Sequence, residues 1–291
     1  SAHAEDEQAD ILDAARDLVR RAEQNGRVLA VNQMMRHGPL VDPIAQMIDA
    51  HLLGAPLRGV MTHRATDSGY PIDHWFWNVD RSGGIFVEQG VHFFDLLRGW
   101  LGDGEVHAAT QWRRAGASLI DQAAADVAYG PETSVNFYYG FTQAEALDVQ
   151  DLRLIFERGE VRLIGWIMAE LQIEAVLEES QIESLESLFD GCEVTTLKRY
   201  GGERPTTRRR GRDERVDRFV RLNWRSREDK QTLYGRAVRS LMIDLLRRVG
   251  DPDHAMRVTA RDGVAALETA LTARATAERH ADLQAERRRH E

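Results

Sequence analysis

The sequence predicts an α/β protein with an α+β part. One end of a doubly wound parallel sheet comes first, followed by an open-faced, mostly antiparallel domain. Three observations carry this. The chain opens helix, apolar run, polar loop, helix, which is one turn of α/β winding and only one. From residue 56 onward, short strand-like runs follow one another across tight turn signals, as antiparallel strands do. Two long helical stretches then close the chain.

In order, Ala9 to Ala22 reads as a helix, with Ile11, Ala15, Leu18 and Ala22 at helical spacing and Arg20 and Arg21 late, where the helix dipole favours cations. Gly26 ends it. Arg27 to Val31 has strand character and runs into polar Asn32 and Gln33, and a second helix is expected from Val41 to Leu53. Strands are expected at Leu57–Thr66, Glu105–Arg113, Gln122–Tyr129, Ser134–Phe141, Leu152–Glu157 and Gln172–Leu177, with an amphipathic helix at Val87–Leu101 among them. The arginine-rich stretch 201–215 reads as a solvated loop or a phosphate-binding patch. Helices Gln231–Val249 and Ala260–Arg279 follow, and 281–291 reads as a frayed tail.

Composition bounds the function. The 291 residues, 43% of them hydrophobic, are enough for real cores, and the net charge of −9 argues against a nucleic-acid partner. No apolar run approaches the ~20 residues of a membrane helix. One cysteine, Cys192, excludes an internal disulfide and a cysteine-cluster metal site. The acidic start has no apolar core, which predicts no signal peptide and a cytoplasmic protein. Of the 38 basic residues, only Lys198 and Lys230 are lysines. Arginine does not release its proton near neutral pH, so lysine acid–base chemistry is nearly absent.

The chemistry concentrates in Asp73-His-Trp-Phe-Trp-Asn78, Gly83-Gly84, Glu88, His92 and Asp95. The glycines permit a turn that side chains forbid. On a helix, Glu88, His92 and Asp95 share one face, and a carboxylate beside an imidazole suits general acid–base work. The same pair also fits an ordinary surface or capping contact. A metal would need a third ligand that the sequence does not nominate, so no metal is expected. Trp75 and Trp77 are core, interface or site aromatics.

The string Gly83-Gly-Ile-Phe-Val-Glu-Gln-Gly-Val-His-Phe-Phe-Asp-Leu96, with Trp100-Leu-Gly102, resembles the signature of the glucose–fructose oxidoreductase, inositol dehydrogenase and rhizopine-catabolism (Gfo/Idh/MocA) dehydrogenases. Arg36-His-Gly-Pro39, His51-Leu-Leu-Gly-Ala-Pro56 and Val258-Thr-Ala-Arg-Asp-Gly263 extend the resemblance over most of the chain. It implies residues 1–55 as the C-terminal remnant of a Rossmann NAD(P) domain. Residues 56–280 would form a substrate domain that dimerises through its sheet, with the closing helix packed on the remnant. It implies hydride transfer between NAD or NADP and a sugar or polyol hydroxyl carbon. His92 would be catalytic, and Glu88 would touch substrate or orient the histidine. Asp95 would be structural. Beside the motif, Arg36, Trp75 and Trp77 are candidates for contacting cofactor or substrate, with Arg36 and Trp77 assigned to cofactor and Trp75 to substrate. Asp121, near the start of a strand, is a candidate to face the cleft as a substrate contact.

Two family motifs are missing. No Gly-x-Gly-x-x-Gly turn precedes a helix; Gly102-Asp-Gly104 follows one and has His107 at the third position. No Glu-Lys-Pro is present, and neither lysine sits in a matching motif. The expectation is a chain lacking most of the cofactor domain, completed by upstream sequence or by a separate Rossmann-bearing chain. The alternative is a non-redox sugar-binding or oligomerisation module.

Overall fold

A computed structural model describes residues 2–202 and 205–290. Helix α1 (Ala2–Gln24) leads into an extended segment, a single 3-10 turn at Met34–His37 and α2 (Val41–Asp49). Strand β1 (Pro56–Thr66) follows, then a short 3-10 turn at Trp75–Trp77, α3 (Val79–Ser82), a π-helical turn at Phe86–Gly90 and α4 (Val91–Leu101). Five strands come next without a long helix: β2 (Gly104–Arg113), β3 (Ile120–Tyr129), β4 (Thr133–Gln143), β5 (Val149–Phe156) and β6 (Gly159–Ile164). The remainder is β7 (Glu170–Leu177), α5 (Glu179–Leu188), β8 (Glu193–Arg199), a β9–β10 hairpin (Thr206–Arg209, Arg212–Arg215), β11 (Arg218–Arg225), α6 (Lys230–Gly250) and α7 (Ala260–His290).

Nine strands form one sheet in the order β2-β3-β4-β1-β5-β6-β7-β11-β8. Only β1 and β4 run parallel; every other neighbour pair is antiparallel. Alternation decides the faces. Along β4, Val135, Phe137 and Tyr139 are fully buried against Phe86, Phe93 and Phe94 of the helical layer. The opposite face is open and polar, laced by Arg162–Asp151, Arg153–Glu160 and Arg221–Glu174 pairs. Helix α7 closes the helical layer. Its Gly263 lies against Val31, where a Cβ would come within 2.6 Å of the valine side chain, and its Thr272 hydroxyl accepts from Gln8 at 3.2 Å.

Four expectations need correction. Arg27–Val31 is extended but joins no sheet: Arg27 N–H bonds back to Ala22 and Gln33 N–H to Val31. A strand exists only through its neighbours, and none of the described residues offers it an edge. The helix expected to reach Leu53 stops at Asp49, followed by left-handed residues His51 and Gly54. Residues 206–215 form a hairpin instead of a loop. Its Arg209 pairs with Glu157 and Glu214, and Arg210 with Glu132 and Glu157, so the positive charge of this patch is largely matched. Finally, α7 continues as helix through 281–290, where a frayed tail was expected.

Candidate active site

Gly83 and Gly84 adopt positive φ of 76° and 80°, and a Cβ on Gly83 would sit 2.7 Å from the Val87 side chain. Only glycine reconciles that turn with so close an approach. The chain then winds through the π turn at Phe86–Gly90, a widened geometry that recurs at functional sites. Glu88 and His92 both face a cavity of about 530 Å³. Asp95 does not. The widened turn changes the helical phase, so the predicted common face of three residues holds only two.

His92 is half-buried, and its Nδ1 lies 2.8 Å from Oε1 of Gln33. An amide oxygen can only accept, so Nδ1 carries the proton and Nε2 is left as the basic nitrogen. Burial pushes the imidazole below its ordinary pKa, which keeps it neutral at physiological pH. Burial also raises the Glu88 carboxyl. Glu88 makes no hydrogen bond to His92; the residue that orients the imidazole is Gln33, itself 3% exposed. The sequence flagged Gln33 only as polar.

The opposite wall was not anticipated. His63, in the middle of β1, and Gln150, on β5, are both buried and line the cavity with Asp148. His63 Nε2 stands 3.6 Å from Asp148 Oδ1, beyond hydrogen-bond reach. Both His63 ring nitrogens and Asp148 Oδ1 are buried without a hydrogen-bond partner. Burial holds the His63 imidazole below its usual pKa, against the pull of Asp148. Buried polar atoms left unpaired on a cavity wall are costly unless a ligand or water completes them. Tyr70, Trp166 and Tyr234 also line the cavity, and the Lys230 ammonium sits 4.3 Å from the Trp166 ring centre. The sequence signal for this wall was a histidine at a core position of a strand, a residue type that needs partners when buried.

Four predicted contacts fall outside the cavity lining. Arg36 donates to the Asp95 carbonyl at 3.0 Å and stands 3.7 Å from its buried carboxyl, whose pKa burial pushes up to about 6. Trp77 donates from Nε1 to the Tyr70 carbonyl at 3.0 Å. Asp121 is paired with Arg114 at 2.8 Å. The same guanidinium holds Asp67 at 2.7 Å and lies 5.6 Å from the Trp77 ring centre, so it braces the loop that carries Tyr70. Trp75 is exposed and packs beside His74. Among the described residues no group of three His, Cys, Asp or Glu side chains could hold a metal ion, and no helix is long and apolar enough to cross a membrane.

Much of this arrangement lies in a segment with a recognisable match. Residues 41–162 match the family model described as the GFO/IDH/MocA C-terminal domain. That stretch is a GFO/IDH/MocA C-terminal domain. No curated protein matches the chain. Among solved structures, an inositol dehydrogenase homologue from Azotobacter vinelandii, complexed with NAD+, is 17% identical with a TM-score of 0.63, over 92% of this chain and 67% of that one. UDP-N-acetylglucosamine 3-dehydrogenase GnnA from Acidithiobacillus ferrooxidans is 17% identical with a TM-score of 0.59, again over 92% and 67%. KijD10, a 3-ketoreductase from Actinomadura kijaniata in complex with NADP and TDP-benzene, is 14% identical with a TM-score of 0.61, over 91% and 67%. The chain shares their fold and spans about two thirds of their length. The GFO/IDH/MocA domain contains the Gly83-Gly84 turn, Glu88, His92 and His63, while Gln33 lies outside it.

Proposed function

We propose that this chain supplies the substrate cavity and the proton-transfer residue of an oxidoreductase acting on a hydroxyl carbon of a sugar or polyol. The observation that carries this is the Gln33–His92 hydrogen bond, which leaves a neutral imidazole with Nε2 as the acceptor at a cavity wall. In the oxidising direction the substrate O–H proton passes to Nε2 as the carbon loses hydride. A nicotinamide, NAD or NADP, would accept that hydride when bound. Glu88, whose carboxyl pKa burial raises, is placed to hydrogen-bond a second substrate hydroxyl.

The described residues do not by themselves fit a whole dinucleotide. There is no Gly-x-Gly-x-x-Gly turn, and the anticipated cofactor contacts Arg36 and Trp77 are engaged with Asp95 and Tyr70. We therefore place the nicotinamide on a Rossmann-type domain outside these 291 residues, upstream or on a separate chain. Residues 1–55 would be the part that meets it and residues 56–280 the substrate and dimerisation domain, pairing through the open sheet face.

The test is turnover of a sugar and polyol panel by a cofactor-competent form carrying a nicotinamide-binding domain. His92→Ala should lower kcat by about 10²-fold or more; an unchanged rate removes His92 from the chemistry. The missing glycine-rich turn favours one second reading, a non-redox sugar-binding module. Sugar binding that persists with no nicotinamide turnover in the completed form would select it.

A further inference from the structure

A second concavity of about 320 Å³ lies between α6 and the Met34–His37 turn, beside the cavity above and sharing that turn with it. Its lining is unusual in a chain of net charge −9. Arg236, Arg239, Arg247 and Arg257 converge on it with His37 and Ser240, against one lining carboxylate, Asp244. Two of the four guanidiniums are matched, Arg236 by Glu228 and Arg257 by Asp42. Asp244 is already taken by His254 Nε2 at 2.7 Å and the Arg257 N–H at 2.8 Å. The Arg239 and Arg247 guanidiniums have no hydrogen bond or ion pair with any described residue, yet both line the same cleft. Like charges gathered in a concavity repel one another unless an anion joins them.

We propose that this cleft binds a phosphoryl or pyrophosphoryl group, gripped by the Arg239 and Arg247 guanidiniums with the Ser240 hydroxyl as a third donor. Arginine suits the role because its planar fork matches paired phosphate oxygens. His37 reports the local field. Its Nδ1 lies 3.3 Å from Ser240 Oγ. Burial first, then the charges of Arg257 and Arg36, lower its pKa, while Asp244 and Asp42 oppose them. The proposal stands apart from the dehydrogenase reading, because binding is read without turnover.

The experiment titrates the full chain with inorganic pyrophosphate, followed by calorimetry and by NMR of the His37 imidazole. Binding should raise the His37 pKa, since a multivalent anion offsets the arginines. The double variant R239Q/R247Q should weaken binding at least about tenfold without lowering Tm, as neither side chain supports the fold. R208Q/R212Q, which removes equal charge from the distant hairpin, should leave binding unchanged. Equal affinity in R239Q/R247Q, or equal loss in R208Q/R212Q, would overturn the site. Competition then separates the sources. Displacement by UDP assigns the cleft to a nucleotide-linked ligand, and displacement by NAD+ assigns it to a dinucleotide. If excess of neither nucleotide displaces pyrophosphate, the assignment to this group is wrong.

Discussion

Gln33 and His92 meet across 59 positions of sequence, amide oxygen to Nδ1 at 2.8 Å, and this one contact fixes which imidazole nitrogen can act as a base. Replacing Gln33 by Leu leaves a half-buried N–H unpaired, which costs about 1 kcal/mol of stability. It also frees the ring to adopt the other tautomer. Turnover of the completed enzyme should fall while Gln33→Asn or Gln33→Glu restores part of it. In Gln33→Glu the new carboxylate raises the His92 pKa, which imidazole NMR would detect. A Gln33→Leu enzyme with wild-type kcat would show that the tautomer does not matter.

Acid should destabilise the fold through the two cavity histidines. His63 and His92 both have lowered pKa values in the folded state. The unfolded chain therefore binds more protons as pH falls below the ordinary histidine value of about 6.5. Stability is complete above that value and declines as pH drops toward the folded pKa values. Melting curves taken from neutral pH downward should show this, and the decline should be shallower in His63→Leu. A Tm independent of pH in this window would contradict the burial of these rings.

Asp95 has the opposite sign. Its carboxyl is raised to about 6 in the fold, from 3.8, so the folded state holds its proton longer than the unfolded one. Rising pH through this range lowers stability, by roughly 3 kcal/mol for a two-unit shift. Asp95→Asn should then be more stable than wild type at pH 7.5 by about 1–3 kcal/mol, and the two should converge near pH 4. Urea unfolding at the two pH values measures it. A less stable Asp95→Asn at pH 7.5 would mean that the Arg36 pairing outweighs the cost of burial.

His63 distinguishes a ligand wall from a structural one. Its ring nitrogens bond to nothing in the fold, so His63→Leu removes no hydrogen bond and should leave stability at neutral pH unchanged or higher. Affinity for a bound polyol should fall about tenfold or more, measured by calorimetry. A variant that loses stability but keeps its affinity would place His63 in the core.

Arg114 supports the Tyr70 wall through Asp67, Asp121 and Trp77. Arg114→Ala strands the buried Asp121 carboxylate and should cost about 3–5 kcal/mol. Arg114→Ala combined with Asp121→Asn should recover much of it. No recovery in the double variant would show that the ion pair is not the source of the cost.

The amphipathic stretches were legible because periodicity is written locally. The expected positions of α1, α6, α7 and the strands β1 to β5 and β7 match those observed, to within a few residues at most ends. Beta6, α5, β8 and β11 were not picked out, since short charged strands such as Glu193–Arg199 carry little alternation of apolar residues. Trp77 and Asp121 were legible as unusual residues but not in their role. Their partner, Arg114, reaches them only once β2 and β3 pair.

By itself, the sequence determined where most of the strands and the long helices lie, the Gly83-Gly84 turn, and the spacing of Glu88 and His92 along one helical stretch. Those follow from φ/ψ limits and from side-chain period, both properties of neighbours along the chain. The tertiary structure decided everything that depends on a distant partner. It gave His92 its acceptor on Gln33, set His63 opposite Asp148 by pairing β1 with both β4 and β5, and left Arg27–Val31 without an edge to join. A periodic pattern states which face is buried. Only the order of strands in the sheet states what buries it.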